Sequence, residues 1–323
     1  MPKYTNKNGV SLPMAVWLAR DQYDHDPRTN VISATSLLKS IRQIVLSSRI
    51  EPSETKVEDV SDRLASRIGT AIHDSVEHSW TENYATALSD LGYPASAIDR
   101  VTINPTEVKK GDIPVYFELR SEKQVGKWIV SGQFDIVFDG AVHDVKSTSV
   151  YTYINKTNDD KYIQQMSIYR WLNPDKITKP EGAIQFIFKD WQKHMAIGSK
   201  TYPSLPVLEY KLRLKSIPEI EMWVQNKLNQ IDLNWDKPEP ELPLCTPDDL
   251  WQDPPKFKYY SKPDSKRASK NFDTMHEASQ YQLSKGKGIV KEVYGEPKAC
   301  RYCPAAGKCS QFAGFVKSGL LKL

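Results

Sequence analysis

The stretch VHDVKSTS, Val142–Ser149, places an aspartate and a lysine two positions apart behind apolar residues. On a strand, residues i and i+2 share a face, so Asp144 and Lys146 point one way and Val145 the other, into the core. Asp135, in SGQFDIVF, falls on the preceding strand, and cross-strand neighbours approach within about 5 Å at Cβ. Two carboxylates and one ammonium then converge on one spot. Hard oxygen ligands suit Mg²⁺ or Mn²⁺. An ammonium beside them can position a water and offset charge growing on a phosphate. The plainer alternative is a cross-strand salt bridge on the exposed face of a sheet, and the hairpin alone leaves both readings open.

Two further pairs have helical spacing. His73 and Glu77, in GTAIHDSVEHSW, are four apart and share a helix face. His73 is flanked by Ala71 and Ile72, which fits a satisfied core histidine; beside carboxylates, its imidazole would complete a site that accepts Mn²⁺ as well as Mg²⁺. Gln165 and Tyr169, in YIQQMSIYRW, are also four apart. They are either an ordinary helix exterior or a polar pair reaching toward a DNA phosphate or the lysine.

Cysteine supplies a second constellation. Cys300, Cys303 and Cys309 have C-x2-C-x5-C spacing, and Cys245 is the remaining candidate for a fourth ligand. Four thiolates satisfy tetrahedral Zn²⁺ or a [4Fe–4S] cluster. Four unrelated free thiols are the bland alternative. Four cysteines are few for a disulfide scaffold in 323 residues.

The elements that must position these residues follow from pattern. VISATSLLKSIRQIVLSSR predicts a helix with a cap at Ser33 or Thr35, and residues 57–94 predict one long helix or two, ending at Gly92 and Pro94. Period-two alternation predicts strands at IPVYFELR, KWIVSGQFDIVF and AVHDVKS, with Asp139-Gly140 as a hairpin turn. DDKYIQQMSIYRWL predicts a helix, AIQFIFKDW and VLEYKLRL two strands, and IPEIEMWVQNKLNQI an amphipathic helix. The proline-rich DKPEPELPLCTPDDLWQDPP marks a boundary, dividing the chain into residues 1–240 and 241–323. Beyond it, residues 253–323 hold 14 Lys or Arg against 6 Asp or Glu, about +8. That excess is either a solvated surface or a phosphate-facing patch.

Composition narrows the class. Hydrophobic residues are 39% and charged residues 26%, as in ordinary globular proteins. No apolar run approaches the ~20 residues of a membrane span. MPKYTNKNGV lacks a signal-peptide core, so a cytoplasmic protein is expected. The net charge of +4 is a weak pointer to an anionic partner.

Taken in order, G-T-x-x-H-x-x-x-E, G-x-x-D, D-x-K and Q-x-x-x-Y resemble the PD-(D/E)XK nuclease superfamily. The likeness is to its RecB-type branch, which includes the AddB nuclease domain and the CRISPR adaptation nucleases. The matching positions are Gly69, His73 and Glu77; Gly132 and Asp135; Asp144 and Lys146; Gln165 and Tyr169, over about a third of the chain. ISATSLL and PLCTPDDLW also look similar to strings in nuclease-like proteins of bacteriophages. The resemblance implies an α/β restriction-endonuclease-like core, a mixed central sheet flanked by helices, with a cysteine-stapled C-terminal region packed on it.

It also implies roles. His73, Asp135, Asp144 and the Val145 carbonyl would hold Mg²⁺ or Mn²⁺, and Lys146 would be the catalytic lysine. Gln165 and Tyr169 would support the site, and Glu77 would sit behind the ligands or on the helix surface. The family's second acid is often Glu where this chain has Asp144. Cys245, Cys300, Cys303 and Cys309 would hold a [4Fe–4S] cluster, with Zn²⁺ as the alternative, although the relatives' remote cysteine precedes the core and Cys245 follows it. The activity implied is metal-dependent hydrolysis of DNA, as an exonuclease in processing or recombination. The rivals are a silent nucleic-acid-binding module, a metal-stapled adaptor protein and an RNA-directed nuclease. DNA is the implied partner, with a helicase or recombination protein by analogy only.

Overall fold

The computed structural model describes residues 3–20, 26–51 and 57–322. Two compact units divide the chain: Met1–Leu38 with Val57–Leu228, and Lys39–Lys56 with Asn229–Leu323. The second unit therefore reaches back past the proline-rich stretch and takes in a segment from near the N-terminus.

The chain opens with β1 (Tyr4–Thr5) and α1 (Leu12–Ala19). Then come β2 (Val31–Ser33), α2 (Ala34–Leu37) and, in the second unit, α3 (Ile41–Ser48). The single helix expected here is thus three elements. Ser33 Oγ accepts from the Ser36 amide at 3.1 Å and starts α2; Ser40 Oγ accepts from the Gln43 amide at 3.1 Å and starts α3. Each cap begins a helix of its own, and β-branched Val31-Ile32 pairs as strand instead. β3 (Glu58–Asp59) leads into α4 (Leu64–Glu82), α5 (Tyr84–Asp90) and α6 (Ala95–Ile98). The expected long helix is therefore two, and it stops where Gly92 takes φ +86°.

The central sheet contains β4 (Val101–Ile103), β5 (Ile113–Val125), β6 (Trp128–Phe138) and β7 (Ala141–Thr148). After α7 (Val150–Asn155) and α8 (Asp159–Leu172) come β8 (Glu181–Phe188), α9 (Lys193–Gly198) and β9 (Val207–Arg213). The strand order is β4-β5-β6-β7-β8-β9, with β2 also on β6. Hairpins make β5-β6 and β6-β7 antiparallel, β8-β9 is antiparallel across a connection that contains α9, and β7-β8, β4-β5 and β2-β6 are parallel. A parallel pair needs a crossover, and α7 with α8 supplies it between β7 and β8. The result is an α/β unit with a mixed sheet flanked by helices. Asp139 and Gly140 take φ +48° and +73° at the β6-β7 turn, as a two-residue hairpin loop with both central residues left-handed requires.

β6 is the spine. β5 pairs along nearly all of it, while β2 and β7 take opposite ends of its other edge: Val31 pairs with Ile129, and His143 with Ile136. The β6-β7 ladder ends at that last pair, and β7 continues along β8. The two strands therefore part beside Asp135 and Asp144. The Val145 amide, left without a β6 carbonyl, donates instead to Asp135 Oδ2 at 2.8 Å.

α10 (Ile217–Asn234) leads into the second unit. There β10 (Lys256–Tyr260), β11 (Lys270–Phe272), α11 (Met275–Lys285) and β12 (Ile289–Val293) form an antiparallel sheet in the order β11-β10-β12, with α11 packed on it. α12 (Ser310–Lys317) follows the cysteines. This unit has small cores of its own, one of Val45, Leu46, Leu242 and Ala305, another of Leu250, Cys300 and Leu321. Among the described residues, no helix is long and apolar enough to cross a membrane.

Candidate metal-binding site

Strand separation at Asp135 creates a polar gap, and α4 fills it. Trp80 packs its ring near Phe117 and Phe138, at centroid distances of 5.8 and 6.1 Å, which anchors the helix to β5 and β6. His73 lies two turns earlier on the same helix face, with Nδ1 3.6 Å from Asp135 Oδ2 and 3.4 Å from Glu118 Oε1. His73, Glu118 and Asp135 each offer one ligand atom, and the three atoms lie within 4.8 Å of one another. One imidazole nitrogen and two carboxylate oxygens could hold a divalent ion, and the mixed donor set suits Mn²⁺ as well as Mg²⁺.

Glu118 is the residue that sequence reasoning missed. It lies opposite Asp135 in the β5-β6 register, between the pairs Phe117↔Ile136 and Leu119↔Phe134. The signal was present: counting back from the turn at Gly126-Lys127 puts 118 across from 135. Reading the strand as ending at Arg120 hid it, because β5 runs on to Val125. Glu118 takes φ +49°, a region costly for a residue with a Cβ. Gln133 Nε2 holds it there, donating to its carbonyl at 3.1 Å and to Oε2 at 3.0 Å.

Asp144 and Lys146 lie beside this group. Asp144 is 1% exposed, and its Oδ2 contacts Lys146 Nζ at 2.5 Å. That burial excludes a plain ion pair on an exposed sheet face. Asp144 Oδ1 accepts from Gln165 Nε2 at 3.5 Å, and the same Nε2 donates to Tyr169 Oη at 2.8 Å. Gln165 and Tyr169 thus bear on the acid from α8, and Tyr169 is buried, not on a helix exterior. Gly132 explains its own place in the pattern. A Cβ there would stand 2.7 Å from Leu172 Cδ1 and 3.1 Å from Tyr169 Cδ1, so glycine lets α8 approach β6. Gly69 has no such neighbour.

The charges interact strongly. Burial, then the Asp144 charge, raises the Asp135 carboxyl to about 7. The Glu118 hydrogen bond raises His73 to about 9, against burial and with help from Asp135. Burial opposes the charge of Lys146, but Asp144 and Asp135 hold it above its ordinary value. Glu77 is raised by burial and by the charges of Glu118 and Asp74, which places it at the edge of the acidic group. Burial pushes the Tyr169 hydroxyl up.

In the second unit the four cysteines line one cavity with Arg42 and Gln43 of α3, and none is in a disulfide. Burial raises Cys245 and Cys303, and raises Cys300 to about 11, with a further increment from the neighbouring sulfurs. Arg42 is 1% exposed. It donates to Cys309 Sγ at 3.2 Å, the Leu242 carbonyl at 3.0 Å and Ser310 Oγ at 3.0 Å, and pairs with Glu239. Ser40 Oγ lies 3.1 Å from Cys245 Sγ. Among the described residues, the cysteines form no group of three whose sulfurs all lie within 4.8 Å of one another.

No protein-family model matches the chain, and no curated protein matches it. Among solved structures, it is similar to the protein SSO0001, with 16% identity over 64% of this chain and 78% of that one, at a TM-score of 0.39. It is also similar to a phage-related exonuclease from Haemophilus somnus 129PT, with 12% identity over 64% of this chain and 93% of that one, at a TM-score of 0.28. Scores this low do not establish a shared fold.

Proposed function

We propose that the chain is a divalent-metal-dependent nuclease that hydrolyses phosphodiester bonds in DNA, with a PD-(D/E)XK-type core. The observation that carries the reading is buried Asp144, paired with half-buried Lys146, set beside the His73, Glu118 and Asp135 group. A purely structural ion pair has no use for a second cluster of carboxylates at its side, since that cluster raises the cost of burying charge.

In this reading His73, Glu118 and Asp135 hold Mg²⁺ or Mn²⁺, with Asp144 and the Val145 carbonyl completing the set. When bound, the ion lowers the pKa of a water and neutralises charge on the phosphate. Lys146 orients the attacking water and offsets the negative charge that grows on the phosphate oxygens. Asp144 keeps Lys146 charged, and Gln165 steadies Asp144. Tyr169 seats α8 against Gly132 and keeps Gln165 in reach. The water oxygen gives up a proton to solvent as it forms the new P–O bond, the ester P–O bond breaks, and the leaving oxygen takes a proton from solvent.

The four thiolates hold a [4Fe–4S] cluster in the same reading. The C-x2-C-x5-C spacing and the shared cavity support four thiolate ligands, and tetrahedral Zn²⁺ is the alternative that four thiolates also satisfy. An iron content of four per chain with visible absorbance supports the cluster, and one zinc per chain overturns it.

The test of the nuclease is degradation of end-labelled linear DNA with Mg²⁺, Mn²⁺ or EDTA, after anaerobic purification. The expected result is metal-dependent cleavage that falls by about 10²–10³ in Lys146→Ala, the usual cost of removing one transition-state donor. Folded, metal-loaded protein that leaves single-stranded, duplex and circular DNA intact overturns the DNA reading, and cleavage of RNA alone redirects it.

A further inference from the structure

The three-stranded sheet of the second unit packs one face on α11, and its other face carries exposed Asn271 and Lys291 beside half-buried Lys258 and Tyr260. Tyr259 and Phe272 face α11, where both rings meet Tyr281 at centroid distances of 5.1 and 5.2 Å. Residues of opposite parity point the other way. The register aligns Asn271, Lys258 and Lys291 in one row across β11, β10 and β12, with Tyr260 and Ile289 in the adjoining row. Among the described helices, α11 is the one packed closely on this sheet.

Two features of this other face are unusual. Lys258 and Lys291 stand directly opposite each other, and like charges in that position destabilise a sheet. Neither pairs with a carboxylate among the described residues. By contrast, Lys256 at the end of the same strand pairs with Asp273. Second, the Lys291 ammonium lies 5.3 Å from the ring centroid of half-buried Tyr260 and donates to the Pro263 carbonyl at 3.5 Å, so an aromatic ring and a cation share one spot. The loop from β10 to β11 adds exposed Lys262, Lys266 and Arg267. Over residues 256–293 there are nine Lys or Arg against four Asp or Glu.

We infer that this face docks a single strand of nucleic acid. A base stacks on Tyr260, and the adjoining phosphate lies between Lys258 and Lys291, which relieves their repulsion. Charge alone would fit any polyanion. The aromatic ring among the cations selects a strand with unpaired bases, because a duplex keeps its base faces stacked internally. The inference rests on the nuclease reading only for its biological sense, since binding at this sheet needs neither the metal site nor cleavage.

The test is fluorescence anisotropy with labelled oligothymidylate and with a duplex of equal length, in EDTA, across a salt series. Lys258→Gln/Lys291→Gln should bind the single strand at least tenfold more weakly, with a salt slope shallower by about 1.4, two contacts at about 0.7 each. Tyr260→Ala should lose at least fivefold on the single strand and little on the duplex. The control, Lys109→Gln/Lys110→Gln on the first unit, should bind normally, and unchanged circular dichroism should show that each variant is folded. Unchanged affinity and slope in the folded lysine variant overturn the proposal. So does equal loss on duplex and single strand in Tyr260→Ala, or a substitution effect confined to anionic phosphatidylserine vesicles. Intact binding without any cleavage would overturn the nuclease reading and leave this surface standing.

Discussion

At the scale of single residues, protons and metal compete for the same atoms. Asp135 is raised to about 7 and His73 to about 9. Both bind protons more tightly folded than unfolded. Their contribution to the stability of the metal-free chain is therefore fully present below the unfolded values. It is lost as pH rises through about 7 for the acid and about 9 for the imidazole. The melting temperature of EDTA-treated protein should fall from pH 5 to pH 9, and Asp135→Asn should flatten the lower part of that fall. A metal ion needs both groups deprotonated, so Mn²⁺ affinity should rise over the same range and binding should release protons. Calorimetry in two buffers of different ionisation enthalpy would measure the release; none at pH 6 would contradict a ligand role for His73 and Asp135. D-x-K was legible because strand periodicity puts both residues on one face, whereas His73 was joined to them only through the resemblance to the nuclease pattern. Glu118 needed the exact hairpin register, which hangs on where a turn falls.

Elements add close approach and second layers of support. Gly132→Val would drive a side chain into Tyr169 and Leu172, and overpacking of this kind costs about 1–3 kcal/mol. The same shift would move Tyr169 away from Gln165, so cleavage should fall more than stability. Chemical denaturation and the cleavage assay on one preparation check both. In the second unit, α3 supplies a buried guanidinium to a cysteine sulfur, a feature no spacing rule in the sequence announced. Arg42→Ala should cost about 2–5 kcal/mol, because it leaves Glu239 unpaired and the Leu242 carbonyl unsatisfied. Arg42→Lys should recover only part, since an ammonium cannot make a guanidinium's forked contacts. Thermal melts of both variants test this, and an unchanged melt in Arg42→Ala would show that the network contributes nothing net.

For the whole molecule, two units with separate cores imply separable responses. Removing the metal or cluster proposed for the cysteines should open amides in residues 39–51 and 229–322 to hydrogen exchange while the central sheet stays protected, because ligand binding would contribute directly to folding free energy. Uniform deprotection of both units would show that they unfold together.

The short helices α7 and α9 were not read, but between Ile113 and Asn234 the five strands, α8 and α10 could be read from the sequence, because alternation and 3.6-residue periodicity report burial directly, and Asp139-Gly140 announced its own turn. So could the neighbourhood of Asp135, Asp144 and Lys146, because a strand has only two faces. Near the N-terminus the local signal misled: apolar residues between Val31 and Arg49 fit a helix, yet two serine caps and a strand partner on β6 broke it into three. Count and spacing singled out Cys245 and the C-terminal cysteines, which line one cavity, but nothing local placed Arg42 or Ser40 beside them. Long-range proximity decided those contacts, along with the parting of β6 from β7, the approach of α8 over Gly132 and the entry of Glu118. Each depends on how distant segments pack, and periodicity within a segment carries no record of that.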